Sequence, residues 1–161
     1  MPLQTLPCRA FQRGFALGAR LLPWRTPTVL SGAGSLLKLP DVFSREGASR
    51  PLVVASRRQC ADERFLALRA ALEGRGVRPS VFSGVEPDAA KVAAARIVRP
   101  DKTVAQLGGL LKVRRPLPLF IAVPTTAGTG SEATIAAVVT GEEHRKYAGS
   151  DLCLIPRYAV L

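Results

Sequence analysis

Apolar residues along this chain gather in short runs of three to five, bounded by glycine, proline and polar breaks, and these alternate with stretches where apolar residues recur every three or four positions. The runs read as strands and the periodic stretches as helices. After the Thr26-Pro27 break comes a short strand over 28–30 and a turn at Gly32-Ala-Gly34. Ser35 stands at a cap position, and leucines with Phe43 form a helical stripe over 36–44, which Pro40 kinks or shortens and Gly47 ends. Pro51-Leu-Val-Val-Ala55 is apolar throughout and predicts a buried parallel strand. Residues 61–73 set Phe65, Leu68 and Leu72 at helical spacing and end near Gly74 and Gly76. Pro79-Ser-Val-Phe82 is the next strand. Strand, helix, strand in that order predicts half of a doubly wound nucleotide domain. A helix follows over 88–98, stopped by Arg99-Pro100, then a short helix within 102–113 and a buried strand over 119–123. Residues 135–140 and 146–149 predict a hairpin around the polar loop Gly141-Glu-Glu-His144.

A length of 161 residues suits one domain, and 47% hydrophobic content fits a globular chain rather than a disordered one. No apolar run reaches the length of a membrane span, so a soluble, cytoplasmic protein is expected. Cys8, Cys60 and Cys153 are scattered without the spacing of a zinc site or a disulfide framework. The formal charge of +11 comes from arginines spread along the chain rather than clustered, which argues against a nucleic-acid surface. The first 40 residues hold Arg9, Arg13, Arg20, Arg25 and Lys38 and no acidic residue, a pattern compatible with a mitochondrial presequence and equally with an amino-terminal helix.

The candidate chemistry sits after the 119–123 strand. Thr125 to Glu132 carry three threonines, one serine and two glycines. At a strand's carboxyl end such a loop suits phosphate and ribose: glycines let the backbone approach, N–H groups face the anion, and hydroxyls add donors. A glycine- and threonine-rich surface turn has the same composition.

Pro124-Thr-Thr-Ala-Gly-Thr-Gly-Ser-Glu132 resembles the signature of iron-containing, or group III, alcohol dehydrogenases. Ala133 to Thr140, Arg145-Lys-Tyr147 and Leu154 to Leu161 continue that pattern in order, and Leu30 to Pro40 resembles the opening of the family's nucleotide domain. The resemblance implies an α/β fold: a partial Rossmann-like, dehydroquinate synthase-like nucleotide domain over 28–161 behind an extension over 1–27. It implies NAD or NADP as cofactor, iron or zinc in the intact family, and an alcohol or aldehyde as substrate. Thr125, Thr126, Thr134 and Lys146 are the cofactor-binding candidates it carries over. A fifth is Ser56, which stands where the family has an Asp on the adenosine ribose. With Arg57 and Arg58 beside it, that change would relax the choice of NAD and admit a 2′-phosphate; a solvated arginine pair is the other reading.

Two departures from the pattern matter. Asp88-Ala-Ala-Lys91 resembles the helix that follows the family's triple-glycine pyrophosphate turn, yet it comes directly after Ser83-Gly-Val-Glu-Pro87. A helix, a strand and the turn, roughly 30 residues at ordinary element lengths, are missing between them. Gly108-Gly109 lies on the wrong side of that helix to replace the turn. The loss removes the main anchor for the diphosphate and a central strand, leaving its neighbours to pair with each other or expose edges. The helical domain that supplies one Asp and three His to the metal is also expected to be absent. The single histidine, His144, beside Glu142 and Glu143, makes no metal site. The chain is therefore expected to be a fragment of an alcohol dehydrogenase, inactive alone and weak or silent toward NAD. The alternative is a non-catalytic remnant that pairs with a full-length homologue; no nucleic acid and no membrane are expected as partners.

Overall fold

A computed structural model describes residues 24–84, 87–125, 130, 132–140 and 146–161, with 14, 17, 18 and 20–22, and the backbone alone at 87 and 88. Its elements run β1 (Thr28–Leu30), α1 (Leu39–Arg45), β2 (Leu52–Ala55), α2 (Arg57–Cys60), α3 (Glu63–Glu73), β3 (Ser80–Ser83), α4 (Pro87–Val98), α5 (Val104–Leu107), β4 (Gly109–Leu110), β5 (Ile121–Ala122), β6 (Ala136–Thr140), β7 (Lys146–Ser150) and β8 (Tyr158–Val160). Turns of 3₁₀ helix cover Ser35–Lys38 and Leu152–Leu154.

Three small sheets result. β8 lies between β1 and β5, all parallel; β2 pairs in parallel with β3; and β7 lies between β4, parallel, and β6, antiparallel. The mixed α/β class with parallel strands is the one expected. The α1 region divides where Pro40 dictates: the proline sits in the first turn of α1, where its missing N–H costs nothing, and the residues before it tighten into the 3₁₀ turn. Ser35 does not cap a helix with its side chain. It is buried, and its hydroxyl donates to the Leu161 carbonyl at 2.9 Å, tying this turn to the end of β8. The predicted helix over 61–73 begins two residues later than expected, because the Asp62 carboxylate accepts the Arg64 N–H as a cap.

Other expectations fail as well: the buried strand expected over 119–123 is only the two-residue, half-buried β5, with Val123 44% exposed. The 102–113 stretch holds only the four-residue α5, and its second half turns into β4 and pairs with β7. Thr103 and Gln106 close α5 with a reciprocal capping box, while Gly109 at φ +101° leaves the helix. Nor is β2 buried on both faces: Leu52 is 54% exposed, and every residue of its partner β3 is exposed, Phe82 to 58%. Among the described residues the strand has one neighbour, so its apolar run lacks the cover that a central parallel strand receives.

The core forms in two parts. Leu39 and Phe43 of α1, Leu68 and Leu72 of α3, Val77 and Val160 of β8 make one, with Leu30, Leu119 and Ile121 against it. Ala95, Leu107, Val113, Ala137 and Leu154 make the other, under the β4–β7–β6 sheet. Tyr158, Ala159 and Val160 are all buried, which makes β8 the spine of the first sheet.

Candidate functional site

The carboxyl ends of the parallel strands β2, β3 and β5 deliver Ser56, Gly84 and Thr125 in turn. Ser56 takes extended backbone angles and caps α2: its hydroxyl accepts the Gln59 N–H at 3.2 Å, and its own N–H donates to Gln59 Oε1 at 2.7 Å. The remaining end of that amide, Nε2, donates to Thr125 Oγ1 at 2.8 Å. Gln59 thus joins two residues that lie 69 positions apart and that the sequence nominated separately. The sequence signal for Gln59 is the capping box, a Ser followed three residues later by Gln, which points to a helix start and not to a ligand site.

Arg57 and Arg58 are exposed in the first turn of α2, and neither forms an ion pair among the described residues. Gly84 holds φ +90°, donates its N–H to the Ala55 carbonyl at 3.0 Å, and lies close to the Arg57 side chain, whose Nε would be 3.7 Å from a Cβ placed there. A positive φ of this kind suits glycine, which has no Cβ to strain. Two hydroxyls, an amide and two guanidinium groups without an ion pair among the described residues therefore lie at the carboxyl ends of strands from two neighbouring sheets.

The other candidates fall elsewhere. Thr126 lies outside the described residues, as do Glu142, Glu143 and His144. Thr134 is paired with Lys91, which is only 3% exposed: the ammonium donates to Thr134 Oγ1 and the Thr134 carbonyl at 2.9 Å each and to the Ala136 carbonyl at 3.1 Å. Lys91 is thus the inward face of the Asp88-Ala-Ala-Lys91 turn, pinning the start of β6 to α4. Lys146 is exposed and pairs with Thr140 at the far end of the β6–β7 hairpin. Four residues of strand, about 13 Å, separate that pair from the Ala136 end. The fold gathers Ser56 with Thr125, gives Thr134 to Lys91, and keeps Lys146 away from both.

Acid–base chemistry finds little here. The Cys153 thiol is pushed up to about 12, by burial first and then by its neighbour Asp151, so it is no nucleophile at neutral pH. The exposed Asp62 carboxyl is held down at about 2 by its hydrogen bonds to Arg64. Among the described residues no three His, Cys, Asp or Glu side chains converge as metal ligands, so these residues do not fit a resident iron or zinc. No helix among them is long and apolar enough to cross a membrane.

Comparison with known proteins bears on the family and the fold. Residues 87–161 match the family model described as iron-containing alcohol dehydrogenase. The probable alcohol dehydrogenase EutG of Salmonella typhimurium is 41% identical over 75 residues, 46% of this chain and 19% of that protein. The mitochondrial hydroxyacid-oxoacid transhydrogenase of Caenorhabditis briggsae is 38% identical over 88 residues, 51% of this chain and again 19% of the relative. Among solved structures, an alcohol dehydrogenase from Oenococcus oeni superposes with TM-score 0.76 at 26% identity, covering 85% of this chain and 45% of the other. A sulfoacetaldehyde reductase from Bifidobacterium kashiwanohense in complex with NAD+ shares the fold at TM-score 0.64 and 22% identity, with 87% and 46% covered. The matched stretch spans about a fifth of the curated relatives, and the fold spans under half of the solved ones. Over residues 87–161, just under half of its length, the chain is similar to iron-containing alcohol dehydrogenases.

Proposed function

We propose that this chain is a nucleotide-contacting part of an NAD(P)-dependent alcohol–aldehyde oxidoreductase and transfers no hydride by itself. The observation that carries the reading is the Ser56–Gln59–Thr125 linkage at the carboxyl ends of β2 and β5, the place where open α/β sheets take their ligands. The adenosine ribose is assigned to Ser56 and the Thr125 hydroxyl. Arg57 and Arg58, neither in an ion pair among the described residues, supply positive charge for a 2′-phosphate, so NADP is the preferred form. When bound, the nicotinamide would supply a hydride acceptor or donor; the chain's own part is to hold the adenosine end. Its substrates by kinship are alcohols or aldehydes. The described residues offer no metal site, so no alcohol activation is derived from them.

Diphosphate binding is expected to be weak. By the family resemblance, roughly 30 residues that would carry a triple-glycine turn are absent between Ser83 and Asp88, which takes away the backbone N–H groups for the diphosphate. For location, the nematode relative's mitochondrial designation favours a presequence reading of residues 1–27 over a cytoplasmic one. A fluorescent reporter behind those residues separates the two.

The test is titration of the chain with NADP, NAD and 2′,5′-ADP, followed by amide NMR shifts. Shifts at Ser56, Arg57 and Thr125, larger with the 2′-phosphate, are expected. Ser56→Asp should weaken NADP by about tenfold through like-charge repulsion and leave NAD nearly unaffected. Shifts elsewhere, or none at millimolar nucleotide, overturn the assignment, and turnover of an alcohol by the isolated chain overturns the inactivity.

A further inference from the structure

Between β2 and β5 lies an open cleft of about 480 Å³, lined by Leu52 and Val54 of β2, Ala90, Ala94 and Ile97 of α4, and Phe120 at the start of β5. Leu52 and Ile97 are 54% and 60% exposed. We propose that this cleft receives an extended apolar segment of another polypeptide, carrying an acidic residue at the Arg50 end, as an added β-strand between β2 and β5. This goes beyond the nucleotide reading and rests on the strand edges and Arg50 rather than on Ser56, Arg57 and Arg58.

Backbone chemistry makes the case for a strand. In the parallel ladder with β3, the Ser80 N–H bonds the Pro51 carbonyl and the Gly84 N–H bonds the Ala55 carbonyl. Alternate residues of a parallel strand address opposite sides, so Val53 and Ala55 serve β3. The N–H and C=O groups of Leu52 and Val54 then face the cleft, where β2 has no strand neighbour among the described residues. β5 likewise pairs only with β8, and residues 118–120 leading into it form the opposite wall. The Gln59–Thr125 hydrogen bond holds the two walls together at their carboxyl ends. A hydrocarbon ligand leaves the edge groups of such a gap unpaired, whereas a strand satisfies them. Four residues of β2 call for an insert of about four residues, or 13 Å.

Side chains define the occupant further. Alanines of α4 make a shallow floor that leaves room for branched apolar residues. Arg50 lines one end of the cleft and has no ion-pair partner among the described residues. A carboxylate beside the insert at that end complements it. With a net charge of +11, a second copy of this chain is the less suitable guest.

The test uses the full 161-residue chain and a synthetic peptide with alternating valine and isoleucine at its centre and aspartates at both ends. Controls carry a central proline, or lysines in place of the aspartates. Hydrogen exchange at the Leu52 and Val54 amides is expected to slow by about tenfold with the first peptide and to stay unchanged with either control. Arg50→Glu, a change at an exposed position, should weaken the aspartate peptide and favour the lysine one. Equal protection by the proline control would mean an unspecific apolar cleft and overturns the proposal, as does no protection at millimolar peptide. Protection that rises with protein concentration alone assigns the edge to a second copy and overturns it too. Nucleotide titration reads Ser56 and Thr125, so either result stands without the other.

Discussion

Asp151 does more structural work with one side chain than any candidate site residue. It is 4% exposed; Oδ2 accepts the N–H groups of Val113 and Arg114 at 3.0 Å each, and Oδ1 accepts that of Cys153 at 3.2 Å. Arg114 and nearby Leu111 hold φ values of +50° and +52°, unusual for side-chain-bearing residues. Tertiary hydrogen bonds sustain that strain: Arg114 through Asp151, and Leu111 through the Ser150 carbonyl at 2.7 Å. Removing the acceptor leaves buried N–H groups unpaired, so Asp151→Ala should destabilise the chain by about 3 kcal/mol, measured as a lower urea midpoint. Nothing in the sequence around Leu152-Cys-Leu154 announces this role, because the partners lie 37 and 38 positions away.

At the scale of elements, local chemistry was readable wherever it is self-contained. The β6–β7 hairpin formed in the expected place, α4 ended at Arg99-Pro100, and Leu68 and Leu72 of α3 turned inward as their spacing required. The capping box of α2 is equally local, but its second use, the bond from Gln59 to Thr125, depends on β2 and β5 being brought side by side. Gln59→Ala tests both uses at once. It should cost about 1 kcal/mol of stability and speed amide exchange at Thr125, with the remainder of the fold intact. The misread stretch over 102–113 shows the opposite case. Leu107, Leu110, Leu111 and Val113 keep an apolar rhythm compatible with helix, but Gly109 and pairing with β7 pull the second half into a strand.

For the molecule as a whole, β8 couples the parts. Tyr158 donates to Glu46 Oε1 at 2.7 Å, Arg157 pairs with Glu46 Oε2 at 2.7 Å, and Leu161 N–H bonds the Leu30 carbonyl at 2.8 Å. The hydrogen bond to Glu46 raises the Tyr158 phenol above its ordinary value, and burial raises the Cys153 thiol to about 12. Both acids hold their protons more tightly when folded. Their contribution is complete below the ordinary values, about 8.5 for a thiol and 10 for a phenol, and drains as pH rises through the folded ones. Stability should therefore fall from about pH 9 upward, and Cys153→Ala should flatten the first part of that fall in urea titrations at stepped pH.

The order of strands and helices, the hairpin and the family signature are properties of the sequence alone, because each rests on neighbours within about a dozen positions or on a contiguous pattern. Ser56 and Thr125 were both nominated that way. Their joining through Gln59, the burial of Lys91 against Thr134, the anchoring role of Asp151 and the open edge of β2 were decided by tertiary structure. Each of those depends on which strand lies beside which, and that follows from how the two halves of the core close rather than from any local preference.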